Sequence, residues 1–254
     1  MMDVLLSEED LHLELSHCRL LFEMISNSDR PGSELNYKEC LARLHGVYDA
    51  VRALGMFSRN ECVDDVNTED VGFVLVNYYI GILELKEVSS DDPTGKTRLR
   101  AVLRGKQHLE AFLEKCLELE MIDLEDRRSF LATQSSEKQD ISREIKVGRF
   151  KRGKAAMLKL EQVNQSLAKA KEQGNVDDAL ERDSILSAVD CSVKNALDEI
   201  ESADREIEIL EHMASREISF TPPSVVRVPP PGKGLVSIVF FKLSCLNSCF
   251  LSIL

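Results

Sequence analysis

The most distinctive chemistry in this sequence is a concentration of positive charge between residues 143 and 159. Seven basic residues and one acid, Glu144, occupy this segment of a chain whose net charge is −12. Guanidinium and ammonium groups at this density bind carboxylates or phosphates, and an arginine fork holds a carboxylate through two hydrogen bonds. The basic residues are Arg143, Lys146, Arg149, Lys151, Arg152, Lys154 and Lys159.

Apolar side chains share one side of this segment with several of its charges. If the segment is helical, at about 100° per residue, Val147, Phe150 and Met157 lie beside basic residues instead of opposite them. A solvated charged face normally lies opposite the apolar stripe of a helix. The mixed pattern therefore predicts a surface that docks an acidic protein partner. Two alternatives stay open: contact with the acidic remainder of the same chain, and binding of RNA or anionic lipid.

No arrangement of residues predicts catalysis, a metal or a cofactor. The segment Gly95-Lys96-Thr97 lacks the upstream glycine and the strand of a phosphate-binding loop, and neither G-x-S-x-G nor H-E-x-x-H occurs. The five histidines are isolated from one another along the sequence, and the seven cysteines are scattered without a C-x-x-C pair. We expect a protein that is not an enzyme, without cofactor, in a reducing compartment: the cytoplasm, with the nucleus as a second location.

The elements that must position the basic segment are helices. No proline occurs between Pro93 and Pro222, and apolar residues recur at steps of three and four. No alternating strand pattern precedes the last 20 residues, so the fold class expected is all-α, with helices packed as antiparallel neighbours. The expected helices cover residues 11–25, 37–54, 71–85, 99–117 and the two sides of Gly174-Asn175, with a short one starting at Ser58–Glu61 and a loop at 89–95.

The last helix has the most regular apolar pattern of the chain. Its apolar residues repeat every seven positions from Leu186 to Ala214, with a second series three residues later. We expect this stripe to pack in antiparallel fashion on the preceding helix, residues 141–173, across the Gly-Asn turn. The alternative is an intermolecular coiled coil, which would make the chain a self-associating assembly or trafficking scaffold.

Four segments of the chain carry a resemblance: FSRNE at 57–61, VLVNYYIGILELK at 74–86, REIKVGRFKRGK at 143–154 and LDEIESADREIEIL at 197–210. In this order, they are similar to the alpha-four/Tap forty-two (TAP42-like) family of type 2A phosphatase-associated proteins. The resemblance covers roughly residues 10–223, and Asn77 stands where the family usually has proline.

The resemblance implies a non-catalytic, all-helical regulator built as an antiparallel, TPR-like array with a long closing helical hairpin. Proteins of that family bind the catalytic subunits of type 2A and related phosphatases, hold them in a latent form and connect them to TOR signalling. The family's R-x-x-K contact pattern falls on two of the basic residues, and the others extend the same surface. The partner-binding residues expected are Arg143, Lys146, Arg149, Phe150, Lys151 and Lys154.

The domain organisation expected is a helical phosphatase-binding domain over residues 1–220 and a tail over 221–254. The tail combines a proline-rich linker with an apolar stretch at 235–254, and we expect it to be unstructured or aberrant. A translated intron is the favoured origin, with a membrane anchor and an isoform-specific tail as alternatives; relatives continue further, so we expect a truncated chain. We also expect a monomer before partner binding, with neither nucleic acid nor a membrane as its partner.

Overall fold

The computed structural model describes residues 8–27, 34–58, 60–87, 95–134 and 143–217, and these residues form helices and turns without strands. The all-α prediction is therefore confirmed. Two 3₁₀ turns, Val63–Asp65 and Gly72–Leu75, lie before and after the third helix. The α-helices are α1 (Glu8–Asn27), α2 (Glu34–Leu54), α3 (Thr68–Val71), α4 (Val76–Lys86), α5 (Lys96–Glu118), α6 (Leu124–Gln134), α7 (Arg143–Glu172) and α8 (Asp178–Glu217).

The long helices form an array of antiparallel pairs. The pairs are α1 with α2, α4 with α5, and α7 with α8; α2 then packs on α4, and α5 packs on α8. The spatial order is therefore α1, α2, α4, α5, α8 and α7, so the last two helices pack in the reverse of their order in the chain. This order leaves α7 at the outer edge of the array, packed mainly on α8.

Glycines end two of the helices where the sequence predicts it. Gly55 follows α2 with a φ of 63°, and Gly174 follows α7 with a φ of 66°, a conformation that side-chain-bearing residues rarely adopt. The short helix expected at Ser58–Glu61 is wrong. The Ser58 amide does donate to Glu61 Oε2 at 3.1 Å, but helical structure begins only with the 3₁₀ turn at Val63.

Two further differences come from local packing. The helix expected over residues 71–85 is interrupted by the 3₁₀ turn at Gly72–Leu75. Helix α6 was not predicted, because its apolar spacing is too weak: only Asp126 and Phe130 of its residues are buried. A buried aspartate in a helix gives no hydrophobic signal in a sequence.

The apolar stripe of α8 is buried inside the chain. Val189, Val193, Ala196 and Ile200 are all inaccessible to solvent in the same core as the α5 side chains. The stripe thus packs within the chain, as expected. Helix α8 contacts α5 about as extensively as it contacts α7. The part of the stripe between residues 189 and 203 offers no surface for an intermolecular coiled coil.

Two arginines connect the long helix α8 to distant parts of the chain. Arg182 donates to the carbonyl oxygens of Val63 and Val66, at 2.5 and 2.9 Å. Arg98, at the start of α5, holds Glu206 at 2.6 Å and also donates to the Leu85 carbonyl at the end of α4. These contacts fix α8 near its start and again at Glu206, and therefore fix the surface on which α7 rests.

The prediction for the tail, residues 221–254, lies outside the described part of the chain, which ends at residue 217. Within the described ranges, no helix is both long and apolar enough to cross a membrane.

Candidate functional site

Helix α7 presents three different environments around its axis because only one of its sides packs on α8. Ala156, Leu160 and Leu167 form the packed side. Side chains at the borders of that side reach across to α8 or to α6, and the remaining side faces solvent. Each basic residue is therefore defined by its angular position on the helix.

Arg149 lies on the packed side and is 3% exposed. Its Nε is 2.6 Å from Asp198 Oδ1, and its Nη2 donates to Glu201 Oε2 at 2.6 Å. A buried guanidinium needs such carboxylates, since an unpaired buried charge costs several kcal/mol. Arg149 was expected on the partner-binding surface; instead, it fastens α7 to α8, because its position on the helix points at the neighbouring helix.

Lys146 lies at the border next to Arg149. Its Nζ donates to Glu201 Oε1 at 2.5 Å, yet 46% of its side chain remains exposed. Burial alone would raise the pKa of Glu201, but the hydrogen bonds from Lys146 and Arg149 and their charges outweigh it and lower that pKa. The Glu201 carboxylate is therefore ionised at neutral pH and neutralises Lys146.

Arg152 lies at the opposite border and reaches α6. It donates to Asp126 Oδ1 at 2.8 Å and contacts Glu125, and the buried Asp126 also pairs with Lys194 of α8 at 3.1 Å. Arg152 was part of the basic segment but not of the expected site. Its role is to join α6, α7 and α8 through one buried carboxylate.

The solvent-facing side of α7 carries basic and apolar residues together. Phe150 is 70% exposed, and no described residue forms an ion pair with Arg143, Lys151 or Lys154. We call this surface the α7 outer face. It consists of Arg143, Val147, Phe150, Lys151, Lys154 and Leu158, all of them exposed.

The structure therefore divides the six expected site residues into three groups. Arg143, Phe150, Lys151 and Lys154 lie together on the outer face, Lys146 lies at its edge, and Arg149 is buried. The carboxylates that hold Lys146 and Arg149, Glu201 and Asp198, were not identified from the sequence. Their positions in the antiparallel hairpin were the available signal, since they lie about as far after Gly174 as the basic residues lie before it.

Two clefts elsewhere in the array offer less chemistry. The larger, of about 590 Å³, lies between α1, α3 and α8, but two pairs of its polar groups are bonded to each other: His12 lies 3.4 Å from Asp70, and Thr68 donates to Asp178. The smaller, of about 460 Å³, adjoins it and is mostly apolar. Within the described ranges, no cluster of His, Cys, Asp and Glu could hold a metal ion.

The fold and this site define a helical-array protein whose end helix exposes a basic and apolar face. The chain belongs to the TAP42-like family, whose model matches residues 15–224. This match confirms the resemblance in the four sequence segments.

Individual relatives agree with the family. The chain is 27% identical over 187 residues to the PP2A regulatory subunit TAP46 of Arabidopsis thaliana, covering 67% of this chain and 44% of the plant protein. It is 26% identical over 234 residues to the human immunoglobulin-binding protein 1 family member C, covering 86% of this chain and 66% of the human protein. The aligned region thus covers less than half of the length of the Arabidopsis protein.

A solved structure shares the fold. The Tap42 alpha4 subunit superimposes with a TM-score of 0.67 at 21% sequence identity, covering 79% of this chain and 97% of that one. At this identity, the similarity concerns the arrangement of helices.

Proposed function

We propose that this protein is a regulatory subunit that binds the catalytic subunit of type 2A Ser/Thr phosphatases and holds it in a latent, protected form in TOR-linked signalling. The family match and the relatives named as PP2A regulatory subunits support the choice of partner. The yeast relative, named type 2A phosphatase-associated protein 42, supports the same choice. The cytoplasm is the location that we propose for this role.

The observation that carries the proposal is the open α7 outer face. Arg143, Lys151 and Lys154 have no carboxylate partner among the described residues, although the chain is strongly acidic overall. Phe150 lies among these charges and is exposed, which is the composition of a protein-binding surface: an apolar anchor surrounded by groups that pair with acids. We therefore assign the phosphatase contact to this face, with an acidic surface as its complement.

Charge reversal on the outer face provides the direct test. The double variant Arg143→Glu plus Lys154→Glu should bind a purified type 2A catalytic subunit at least about tenfold more weakly, since two interfacial charge pairs become repulsive. Binding can be measured by surface plasmon resonance at low and physiological salt. Phe150→Ala should weaken binding as well, by about 1 kcal/mol or more, if the ring is a contact anchor.

A matched control lies on the same helix. Lys169→Glu plus Lys171→Glu changes the charge of α7 by the same amount near its other end, where both lysines are exposed. We expect this variant to bind like the wild type. Equal loss of affinity in both double variants would indicate a general effect of net charge, and undiminished binding by the outer-face variant would exclude this face as the contact.

A second candidate function, binding of a polyanion such as RNA or an anionic lipid surface, predicts a different result. Retention on heparin that falls steeply with salt, together with no phosphatase binding, would favour it.

A further inference from the structure

Glu201 is shared between the fold and the proposed binding surface. Its Oε2 accepts from the buried Arg149 at 2.6 Å, and its Oε1 accepts from Lys146 at 2.5 Å. A third cation, Arg205, lies 3.8 Å from Oε1, one turn further along α8. One carboxylate of α8 thus serves one structural arginine and one lysine at the edge of the outer face.

Arg149 fixes the position of Glu201 independently of Lys146. The Glu201 side chain is largely buried, and its bond to a guanidinium that is itself buried leaves it little freedom to turn away. Lys146, by contrast, is nearly half exposed on a long, flexible stem. If the two separate, Lys146 is therefore the one that moves, and Glu201 stays in place.

We propose that Glu201 is an internal competitor of the partner: it occupies Lys146 in the free protein, and the partner's carboxylate takes its place on binding. This inference rests on the proposed function and adds its regulation. Arg143, Lys151 and Lys154 make the first electrostatic contacts because no described carboxylate holds them. Lys146 joins the interface only after it leaves Glu201, so Glu201 lowers the affinity for any acidic partner.

The substitution Glu201→Gln tests the competition. Glutamine keeps an acceptor for Arg149 but loses the charge that holds Lys146, so the dissociation constant for the catalytic subunit should fall about threefold, the size expected for one partly exposed ion pair. The gain should disappear in a Lys146→Met background, since the effect acts through that lysine.

Asp198 provides the matched control. It lies one turn before Glu201 on α8, contacts Arg149 and is 57% exposed, and Lys146 is held by Glu201 instead. Asp198→Asn removes the same charge from the same helix and leaves the Lys146–Glu201 pair intact. We expect it to bind the catalytic subunit with nearly wild-type affinity, which separates competition for Lys146 from the general effect of one lost negative charge.

A second readout needs no phosphatase. Acylation of lysines by acetic anhydride, followed by mass spectrometry, reports how readily each amine reacts. Lys146 should react more slowly than Lys151 and Lys154 in the wild type and in Asp198→Asn, and its rate should approach theirs in Glu201→Gln. Unchanged labelling of Lys146 in Glu201→Gln would overturn the inference, whatever the phosphatase does.

The two readouts distinguish the two proposals. Faster labelling with unchanged phosphatase affinity also overturns the inference, since Glu201 then does not compete. Faster labelling without phosphatase binding by any variant, the wild type included, overturns the proposed function and leaves the hold of Glu201 on Lys146 supported. If Glu201→Gln fails to fold, Lys146→Met should weaken binding less than Arg143→Met in the native background; equal losses overturn the inference.

Discussion

Arg149 and Lys151 lie two residues apart on α7 and have opposite environments. Arg149 points at α8 and is enclosed with Asp198 and Glu201, whereas Lys151 points into solvent. Their contributions differ accordingly: a buried pair stabilises one arrangement of helices, and an exposed charge is free for a partner. At the scale of single residues, the angular position on a helix decides between these roles.

His108 is a titratable residue whose environment is likewise decided by its position on its helix. It belongs to α5 and reaches α2 and α4, with Nδ1 2.9 Å from Asn77 Oδ1 and its ring 5.5 Å from the ring of His45. Burial, and then His45, lower the pKa of His108 below its usual 6.5. The nearby Glu84 and Arg104 act in opposite directions.

A lowered histidine pKa makes stability depend on pH. The unfolded chain takes up the proton at higher pH than the folded one, so the contribution of neutral His108 is complete above pH 6.5 and is lost as the pH falls below that value. Between pH 7.5 and 5.5, the wild type should therefore lose up to about 1 kcal/mol more stability than His108→Gln. Urea unfolding at both pH values measures the difference.

Gln107, an exposed and non-titrating neighbour of His108 on α5, supplies the comparison for this measurement. Gln107→Ala changes no titratable group and should keep the pH dependence of the wild type. If His108→Gln has the same pH dependence as the wild type, the histidine does not contribute through its protonation.

At the scale of helix pairs, α4 and α5 approach each other closely at two glycines, Gly81 and Gly105. A Cβ added at Gly105 would lie 2.8 Å from Leu85 Cγ and 3.0 Å from the Gly81 carbonyl oxygen, and one added at Gly81 would lie as close to Leu109 and to the Gly105 carbonyl oxygen. The two backbones approach each other where neither residue has a side chain. This pair therefore sets the spacing at the centre of the array.

Helix propensity alone favours alanine over glycine, and the close contact at Gly105 should reverse this preference. Gly105→Ala should destabilise the protein by about 1–3 kcal/mol, because the neighbouring backbone oxygen cannot move aside, although alanine is the better helix former. At Gly153 in α7, an added Cβ would meet no atom within 4 Å. Gly153→Ala should therefore stabilise the protein by up to about 1 kcal/mol. Thermal unfolding followed by circular dichroism measures both; stabilisation by Gly105→Ala would contradict the close contact.

The helices that the sequence predicted and those that it missed differ in what they bury. Helices α2, α5 and α8 bury regular apolar stripes, so spacing alone locates them to within a few residues. Helix α6 buries one phenylalanine and one aspartate, and the stabilising contacts of that aspartate come from Arg152 and Lys194 on other helices. Such a helix depends on partners distant in sequence, which spacing cannot reveal.

At the scale of the whole molecule, the packing of α7 in the array explains why the sequence predicts the candidate site only in part. The charge pattern selects α7 as the candidate docking helix and places Phe150 beside the basic residues, and both features depend on α7 alone. The pairing of Lys146 with Glu201 depends on the register of α7 against α8, and the exposure of α7 depends on its place at the edge of the array. These are properties of the assembled chain.

The burial of the α8 stripe leads to a prediction about the oligomeric state. Val193, near the middle of that stripe, is 1% exposed within a single chain. A glutamate at this position would place a carboxylate in the core at a cost of several kcal/mol, so Val193→Glu should lose most of its helical circular dichroism. Light scattering should give a mass near 28.6 kDa for the dilute wild type, which is that of a monomer.

The intermolecular coiled coil predicts the reverse of this result. If the stripe joined two chains, the wild type would have twice the monomer mass, and Val193→Glu would dissociate it into folded monomers. Ile209→Glu serves as the control because Ile209 lies on the same helix, further along, and is 60% exposed. It should change neither the mass nor the helical signal, so that an effect of Val193→Glu reflects the buried stripe and not an added charge on α8.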